Sequence, residues 1–278
     1  MRSYIIDLPL LSIITINYNN AAGLEKTMQS VFSQNNGDFE YVVVDGNSSD
    51  GSKALLEKYS GSISKWVSEP DTGIYNAMNK GIRLSSGKYL LFLNSGDVFE
   101  NDNACQHLIG DLNEGIDILY GNLKVILSDG STTMFIAPPQ LSVDYLLKGS
   151  LFHPATLISR RLFDEYGLYS EDMKIVSDWA FFFKVIVTGN ANCVHHDRTV
   201  AIFHKDGISS HPENQRSLQE ERESFMSKNF PSVVRNLFEE YNMLSHQNRQ
   251  QQYAFNNKRV LLKQFLKKLR EDILRRFK

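Results

Sequence analysis

Three aspartates stand where apolar runs end. Phe39 to Val44 closes on Asp45, Ile63 to Val67 is followed by Asp71, and Tyr89 to Leu93 leads through Asn94, Ser95 and Gly96 to Asp97. A glycine lies close to each: Gly46, Gly73 and Gly96. Glycine lets backbone approach a ligand with no Cβ between them. In open parallel sheets, ligands bind outside the carboxyl ends of the strands. Carboxylates there can accept from a base N–H or from ribose hydroxyls, or hold a divalent cation that screens a diphosphate. Asp and Gly are also ordinary turn formers. Three such acids at successive strand ends favour a site over three unrelated turns.

The elements that must carry these acids follow from periodicity. Leu10 to Ile16 reads as a buried strand. Asn20 can cap a helix whose apolar face is Leu24, Met28, Val31 and Phe32. Phe39–Val44 and Ile63–Val67 are further strands, separated by the Gly46-to-Gly51 turn and a short helix from Ser52 to Tyr59. Ile74, Met78 and Ile82, four apart, mark a helix over residues 73–84 ahead of the Tyr89 strand. Such alternation predicts a mostly parallel sheet with helices on both faces. The order then changes. Ile118–Leu127 and Thr132–Ile136 flank Ser128-Asp129-Gly130-Ser131, a hairpin signal. Ala155–Ile158 reads as a strand, Ser177 as the cap of a helix reaching Val187, and Ala191–His195 and Thr199–Phe203 as two short strands. From Glu213 onward the pattern is helical. The expected division is a domain over residues 1–212 and a helical extension over residues 213–278.

The familiar phosphate loops are missing. After the first strand stands Asn17-Tyr18-Asn19-Asn20-Ala21-Ala22-Gly23 rather than G-x-G-x-x-G, and Gly87-Lys88-Tyr89 has neither the Ser/Thr nor the glycine spacing of a P-loop. A nucleotide site here would be built from acids. The segments LSIITINYN, YVVVDGNSSDGS, SEPDTGIYNAMNKGI and LLFLNSGD, in that order and spacing, resemble family 2 glycosyltransferases of the GT-A fold. The resemblance covers about residues 9–210 and is nearest to bacterial colanic-acid and O-antigen polysaccharide enzymes. It implies inverting transfer of a sugar from a nucleoside diphosphate to an acceptor hydroxyl, in cell-surface polysaccharide synthesis. UDP-hexose is the broadest donor expectation and GDP-fucose the one suggested by the nearest branch.

The roles it implies fall on matching positions. Thr15, Asn17 and Tyr18 would line the nucleotide pocket, with Asp45, Ser48 and Asp50 at the base. Asp71, Gly73, Asn79 and Lys80 would lie by the ribose and donor sugar. Asn94 and Ser95 would face the donor, and Asp97 stands in the metal motif. Asp178, in VSDWAFFFK, matches the catalytic base. His153 and Trp179 fall on the acceptor side. His204, in FHKDGISSH, would reach the metal or the diphosphate. The cofactor implied is Mn²⁺ or Mg²⁺. Where relatives often show Asp-x-Asp-Asp, this chain has Asn94-Ser95-Gly96-Asp97. One carboxylate with diphosphate and water oxygens can still hold such a cation. An acid directly after a helix-capping serine would sit in the first turn, where the dipole favours its charged form.

The 278 residues are 42% apolar and carry a formal charge of −2, which fits a folded chain with a sizeable core. Two cysteines, Cys105 and Cys193, lie far apart without metal-ligand spacing. The expected setting is cytoplasmic: no signal peptide is recognised, and no run reaches the ~18 apolar residues that span a bilayer. Residues 258–278 carry +7, leaving −9 for the rest. With Leu262, Leu266, Leu269, Ile273 and Phe277 on one stripe, that tail reads either as a basic helix on the inner membrane surface or as one docked on the acidic body. Membrane contact would suit a lipid-linked saccharide acceptor. Nucleic acid is not an expected partner. Two competing readings are a nucleotide-sugar-binding protein of the same fold with catalysis lost, motivated by Asn94 and Gly96, and a nucleotidyltransferase. The latter should carry a Gly/Arg/Lys-rich loop after the first strand, which is missing.

Overall fold

The computed structural model describes residues 8–251 except 36–37, 128, 205–211, 242, 246 and 248–249. Strand β1 (Leu11–Asn17) is followed by α1 (Ala21–Phe32), β2 (Phe39–Asp45), α2 (Ser52–Lys58), β3 (Lys65–Ser68), α3 (Ile74–Leu84) and β4 (Tyr89–Phe92). β1 pairs in parallel with both β2 and β4, and β2 with β3. All seven residues of β1 are buried, as a strand covered on both faces must be. Leu11 and Ile13 enter one apolar cluster, with Leu24, Met28 and Val31 of α1; Ile14 and Ile16 enter the other, with Met78 and Ile82 of α3. The period-2 alternation of a strand thus feeds two cores. Each fully buried aliphatic side chain contributes about 1.5–3 kcal/mol. The Asn20 side chain caps α1 by accepting from the Gly23 N–H, 3.1 Å.

The second half departs from the parallel expectation. After β5 (Val98–Phe99) and α4 (Ala104–Gly110) come β6 (Ile118–Ile126), β7 (Thr132–Phe135), α5 (Val143–Lys148), β8 (Thr156–Ser159), α6 (Arg160–Tyr166), α7 (Ser177–Phe183) and β9 (Cys193–His204). The sheet order is β3-β2-β1-β4-β8-β6-β9-β5, with β7 on β6. β8 is antiparallel to β4 and β6, while β6 and β9 run parallel. The sheet is therefore mixed rather than mostly parallel. The tight hairpin makes β7 antiparallel to β6, since so short a connection cannot make a parallel crossover, and β8 runs against both of its neighbours. Helices do cover both faces: α1, α2 and α4 on one, α3, α6 and α7 on the other.

Two local expectations need correction. The two strands expected at 191–195 and 199–203 are one strand, β9, interrupted by register shifts opposite Gly121 and Asn122. Ser177 does not cap α7. Val176 holds the cap position, and the Ser177 hydroxyl lies inside the first turn, buried without a partner. α7 then loosens into a π-helical turn over Lys184–Thr188. Helix α8 (Gln215–Asn229) contains the division of the chain into two compact units, which falls between Arg222 and Glu223. Within the second unit the Phe225, Phe230 and Phe238 rings meet in sequence at 6.3 and 6.1 Å. Among the described residues no helix is long and apolar enough to cross a membrane. The basic segment 258–278 lies outside the described residues.

Candidate active site

The carboxyl ends of β1, β2 and β4 gather the first part of the site. Asp45 ends β2 and is buried. Its Oδ1 accepts from the Asn17 amide at 2.7 Å and the Ser48 hydroxyl at 2.6 Å; its Oδ2 accepts from the Ser48 N–H at 3.0 Å and the Ser68 hydroxyl at 2.7 Å. Burial pushes the Asp45 pKa up, but the hydrogen bonds from Ser48, Ser68 and Asn17 outweigh it and hold the group below the ordinary carboxylate range. Asp50 accepts from the Ala21 N–H at the start of α1 and from the Ser52 hydroxyl and N–H. The Ser52 hydroxyl is the main cause of its lowered pKa. The polar loop after β2 is thereby fastened to the loop after β1. Tyr18 stands on this shelf with its ring largely exposed, at 68%, which suits stacking against a base. The Asn17 Oδ1 is buried with no donor among the described residues.

Asp71 approaches the same shelf. Its Oδ1 accepts from the Gly73 N–H at 3.1 Å. A Cβ on Gly46 would lie 2.4 Å from Asp71 Oδ2 and 3.1 Å from the Tyr18 ring, so only glycine lets the two meet there. Gly73, at φ +141, turns the chain into α3 in a conformation that L-residues rarely adopt.

Three residues expected on the nucleotide side spend their polar groups within the fold. Thr15 is fully buried, donating to the Leu93 carbonyl at 2.7 Å and accepting from the Tyr41 hydroxyl. Asn79 binds the Tyr169 backbone at both its N–H and C=O and also donates to Glu171. Lys80 donates to the Pro70 carbonyl at 2.7 Å and pairs with Glu69 at 2.8 Å. Lys80 thus steadies the turn that presents Asp71, while Asn79 joins α3 to the loop before α7.

Beyond the shelf opens a cavity of about 520 Å³, whose walls include Asn94, Ser95, Asp97, His153, Asp178 and Trp179. Asn20 and Ser95 join its rim through reciprocal bonds to each other's carbonyls. Asp97 is buried, and its carbonyl and the Asn94 carbonyl both accept from Thr27 of α1. The Asn94 Oδ1 is buried with no donor among the described residues. The Asp97 carboxylate and the Asn94 amide oxygen are donors of the kind a hard divalent cation takes. Among the described residues no cluster of three His, Cys, Asp or Glu could hold a metal without further ligands. The His204 side chain lies outside the described set.

Asp178 stands in the first turn of α7, on the wall of the same cavity. Its Oδ1 accepts from the Tyr75 hydroxyl at 2.8 Å, and its Oδ2 is 3.9 Å from His153 Nδ1. The other ring nitrogen of His153 meets the Tyr169 hydroxyl at 2.9 Å. Burial holds the His153 pKa below the ordinary histidine value, against the pull of Asp178, so the ring is neutral at pH 7. His153 therefore borders Asp178 rather than pairing with it as a cation. Trp179 is buried, donates to the Leu146 carbonyl at 2.6 Å, and carries the Arg222 guanidinium 4.7 Å from its ring centre.

Sequence reasoning missed Tyr75, Glu221 and Arg222. The buried face of α3 is Tyr75, Met78, Asn79 and Ile82, a helical stripe that would have placed Tyr75 inward. No sequence signal marked Glu221 or Arg222 within a polar helix.

A family model described as glycosyl transferase family 2 matches residues 12–167. A PGL/p-HBAD biosynthesis glycosyltransferase of Mycobacterium bovis is 33% identical over 180 residues, covering 62% of this chain and 68% of that protein. S. aureus TarS, solved in complex with UDP, superposes with a TM-score of 0.56 at 22% identity, covering 70% of this chain and 60% of that one. A mannosyltransferase from Pyrobaculum calidifontis, solved with GDP-Man and Mn²⁺, gives 0.58 at 15% identity, over 76% and 61%. The two structures share the fold.

Proposed function

The chain belongs to glycosyl transferase family 2 and is a transferase; from that premise we propose that it moves a hexose from a nucleoside diphosphate to an acceptor hydroxyl, with inversion and with Asp178 taking the proton. The observation that carries this is the placement of two acids on one cavity: Asp97 in the turn between β4 and β5 and Asp178 at the start of α7. The shelf of Asn17, Tyr18, Asp45 and Asp71 adjoins the cavity rim at Asn20. A nucleotide on the shelf would present its sugar to the cavity. Attack by an acceptor hydroxyl requires a proton acceptor, and among the described residues no hydrogen-bond donor stands closer to one Asp178 oxygen than the His153 ring at 3.9 Å.

UDP-hexose is the first donor to test and a GDP-sugar the second; UDP and GDP-Man in the two solved neighbours support nucleotide sugars as a class. A Mn²⁺ or Mg²⁺ ion would be held by Asp97 with Asn94 Oδ1 beside it. When bound, it would neutralise charge on the departing diphosphate. The chain's own groups orient the donor from the shelf and receive the acceptor proton at Asp178. The acceptor is proposed to be a saccharide on a lipid carrier in cell-surface polysaccharide synthesis, with residues 258–278 touching an anionic membrane.

The test is a panel of UDP- and GDP-sugars, with and without Mn²⁺, measured for binding by calorimetry and for release of nucleoside diphosphate. One donor should bind and turn over, and Asp178→Asn should keep the binding while losing turnover. Near-normal turnover in Asp178→Asn would remove the base assignment; no binding by any nucleotide sugar would remove the donor class.

A further inference from the structure

The reactive end of the cavity has two acceptors and one proton between them. The Tyr75 hydroxyl lies 2.7 Å from the Ile175 carbonyl oxygen and 2.8 Å from Asp178 Oδ1. A phenol carries a single hydrogen and serves one of them at a time. The Ile175 peptide is held in place. Glu221 of α8 accepts from the N–H groups of Lys174, Ile175 and Val176, at 2.8, 3.0 and 3.1 Å. Three charge-assisted bonds to consecutive N–H groups fix that segment, which runs directly into α7 and Asp178.

Which acceptor takes the Tyr75 hydrogen depends on the charge of Asp178. An ionised carboxylate is a stronger acceptor than a peptide carbonyl, and a protonated carboxyl is not. We propose that Tyr75 is the positioning residue of the proton-accepting carboxylate: its hydroxyl donates to Asp178 while the carboxylate is charged and turns to the Ile175 carbonyl when the carboxyl gains a proton. This rests on Asp178 being the base of the transfer. In that step the acceptor O–H bond breaks, its electron pair forms the new glycosidic bond, and its proton goes to Asp178. The electron pair of the old bond leaves with the diphosphate. Tyr75 changes partner and keeps its own hydrogen. Neither state leaves the hydroxyl proton without an acceptor.

The groups facing Asp178 come from four places: Tyr75 from α3, His153 from the turn before β8, Tyr169 from the loop before α7, and Arg222 from α8. Burial raises the Tyr75 and Tyr169 hydroxyls far above their ordinary values, and the charge of Asp178 adds to this. Both therefore stay protonated, and Tyr75 remains a donor at every working pH. His153 is neutral near pH 7 and Arg222 is a cation throughout. Among the described tyrosines, only Tyr75 donates directly to Asp178.

The test follows the titration of Asp178 itself by ¹³C NMR, in the full chain labelled at aspartate carboxyl carbons. The signal is assigned by its loss in Asp178→Asn. Tyr75→Phe removes the donor to the charged form and should raise the titration midpoint by about one to two pH units. Tyr75 replaced by 3-fluorotyrosine keeps the shape with a more acidic hydroxyl and should lower it. A purely structural role predicts no such opposed shifts. If Tyr75→Phe does not fold, the fluorotyrosine protein decides alone, a lowered midpoint supporting the inference and an unmoved one overturning it. Midpoints unmoved in both proteins overturn the inference. The readout needs no sugar donor, so failure to find a donor leaves it legible. Lost turnover in Asp178→Asn with unmoved midpoints in the Tyr75 proteins would keep the base and discard the positioning role.

Discussion

Asp45 and Asp178 are both carboxylates at the mouth of the same fold, and they are built in opposite ways. Asp45 accepts four hydrogen bonds, three from side chains and one from backbone. Its partners Ser48 and Ser68 stand on its own loop and on the neighbouring strand. Among the described residues Asp178 has one shared donor, Tyr75, and its other oxygen faces a neutral imidazole at 3.9 Å. A carboxylate saturated with donors resists protonation and shapes a surface. A carboxylate with an oxygen to spare can receive a proton. The difference between the shelf and the wall is thus a difference in how much acceptor capacity the fold leaves open.

The sharpest way to break this distinction is at Asp178. Asp178→Asn should cut turnover about 10²–10⁴-fold with donor affinity unchanged in calorimetry. Loss of donor affinity together with turnover would mean that the wall binds rather than reacts. At Asp45 the expected effect is on stability and binding. Asp45→Asn places an NH₂ group against hydroxyl donors and should cost about 1–3 kcal/mol in urea unfolding, with weaker donor binding. A stability equal to that of the parent chain would show that the bonds of Asp45 contribute nothing net.

The pH dependence separates the shelf further. The Asp45 pKa is lowered in the folded state. Its contribution is complete above the unfolded-chain value of about 3.9 and is lost as pH falls through the lower native value. The parent chain should therefore lose stability in acid more steeply than Asp45→Asn below about pH 4. Identical acid limbs would place the acid sensitivity elsewhere. The smallest effect is expected at Gly46→Ala. The added Cβ would meet Asp71 Oδ2 at 2.4 Å and push that side chain aside, raising donor KM by roughly fivefold, the equivalent of about 1 kcal/mol, with kcat little changed.

Legibility followed the same division. The bonds of Asp45 to Ser48 and of Asp50 to Ser52 are local, the kind that short polar side chains make in turns, whereas Asn17, Ser68 and Ala21 reach these acids from 23 to 29 positions away and no local pattern marked them. Thr15, Asn79 and Lys80 were harder to place: their residue types suit a ligand as well as an internal bond, and only the burial of Thr15 and Asn79 and the Glu69 and Pro70 partners of Lys80 decide between the two. The Ser177 cap failed by one residue. A serine before an acid and an apolar run is a fair start signal, but the helix begins at Ser177 after Val176. The parallel strands of the alternating first half and the β6–β7 hairpin were legible, while the antiparallel place of β8 between β4 and β6 was not, because its partners lie far along the chain. Glu221 was invisible because its three bonds reach back 45 to 47 positions.

By itself the sequence determined the parallel half of the sheet, the two-faced core, the acids at the strand ends and the family resemblance that the family match then bore out. These follow from patterns of period 2 and 3.6 and from local turn chemistry, which act over a few residues. Only the tertiary structure decided which of those acids is saturated and which has a free oxygen, that Tyr75 stands between Asp178 and Ile175, and that α8 holds the segment leading into α7. Each of these joins residues far apart in the chain. Nothing in their local sequence records the meeting, because packing of the sheet and its helices brings them within hydrogen-bond distance.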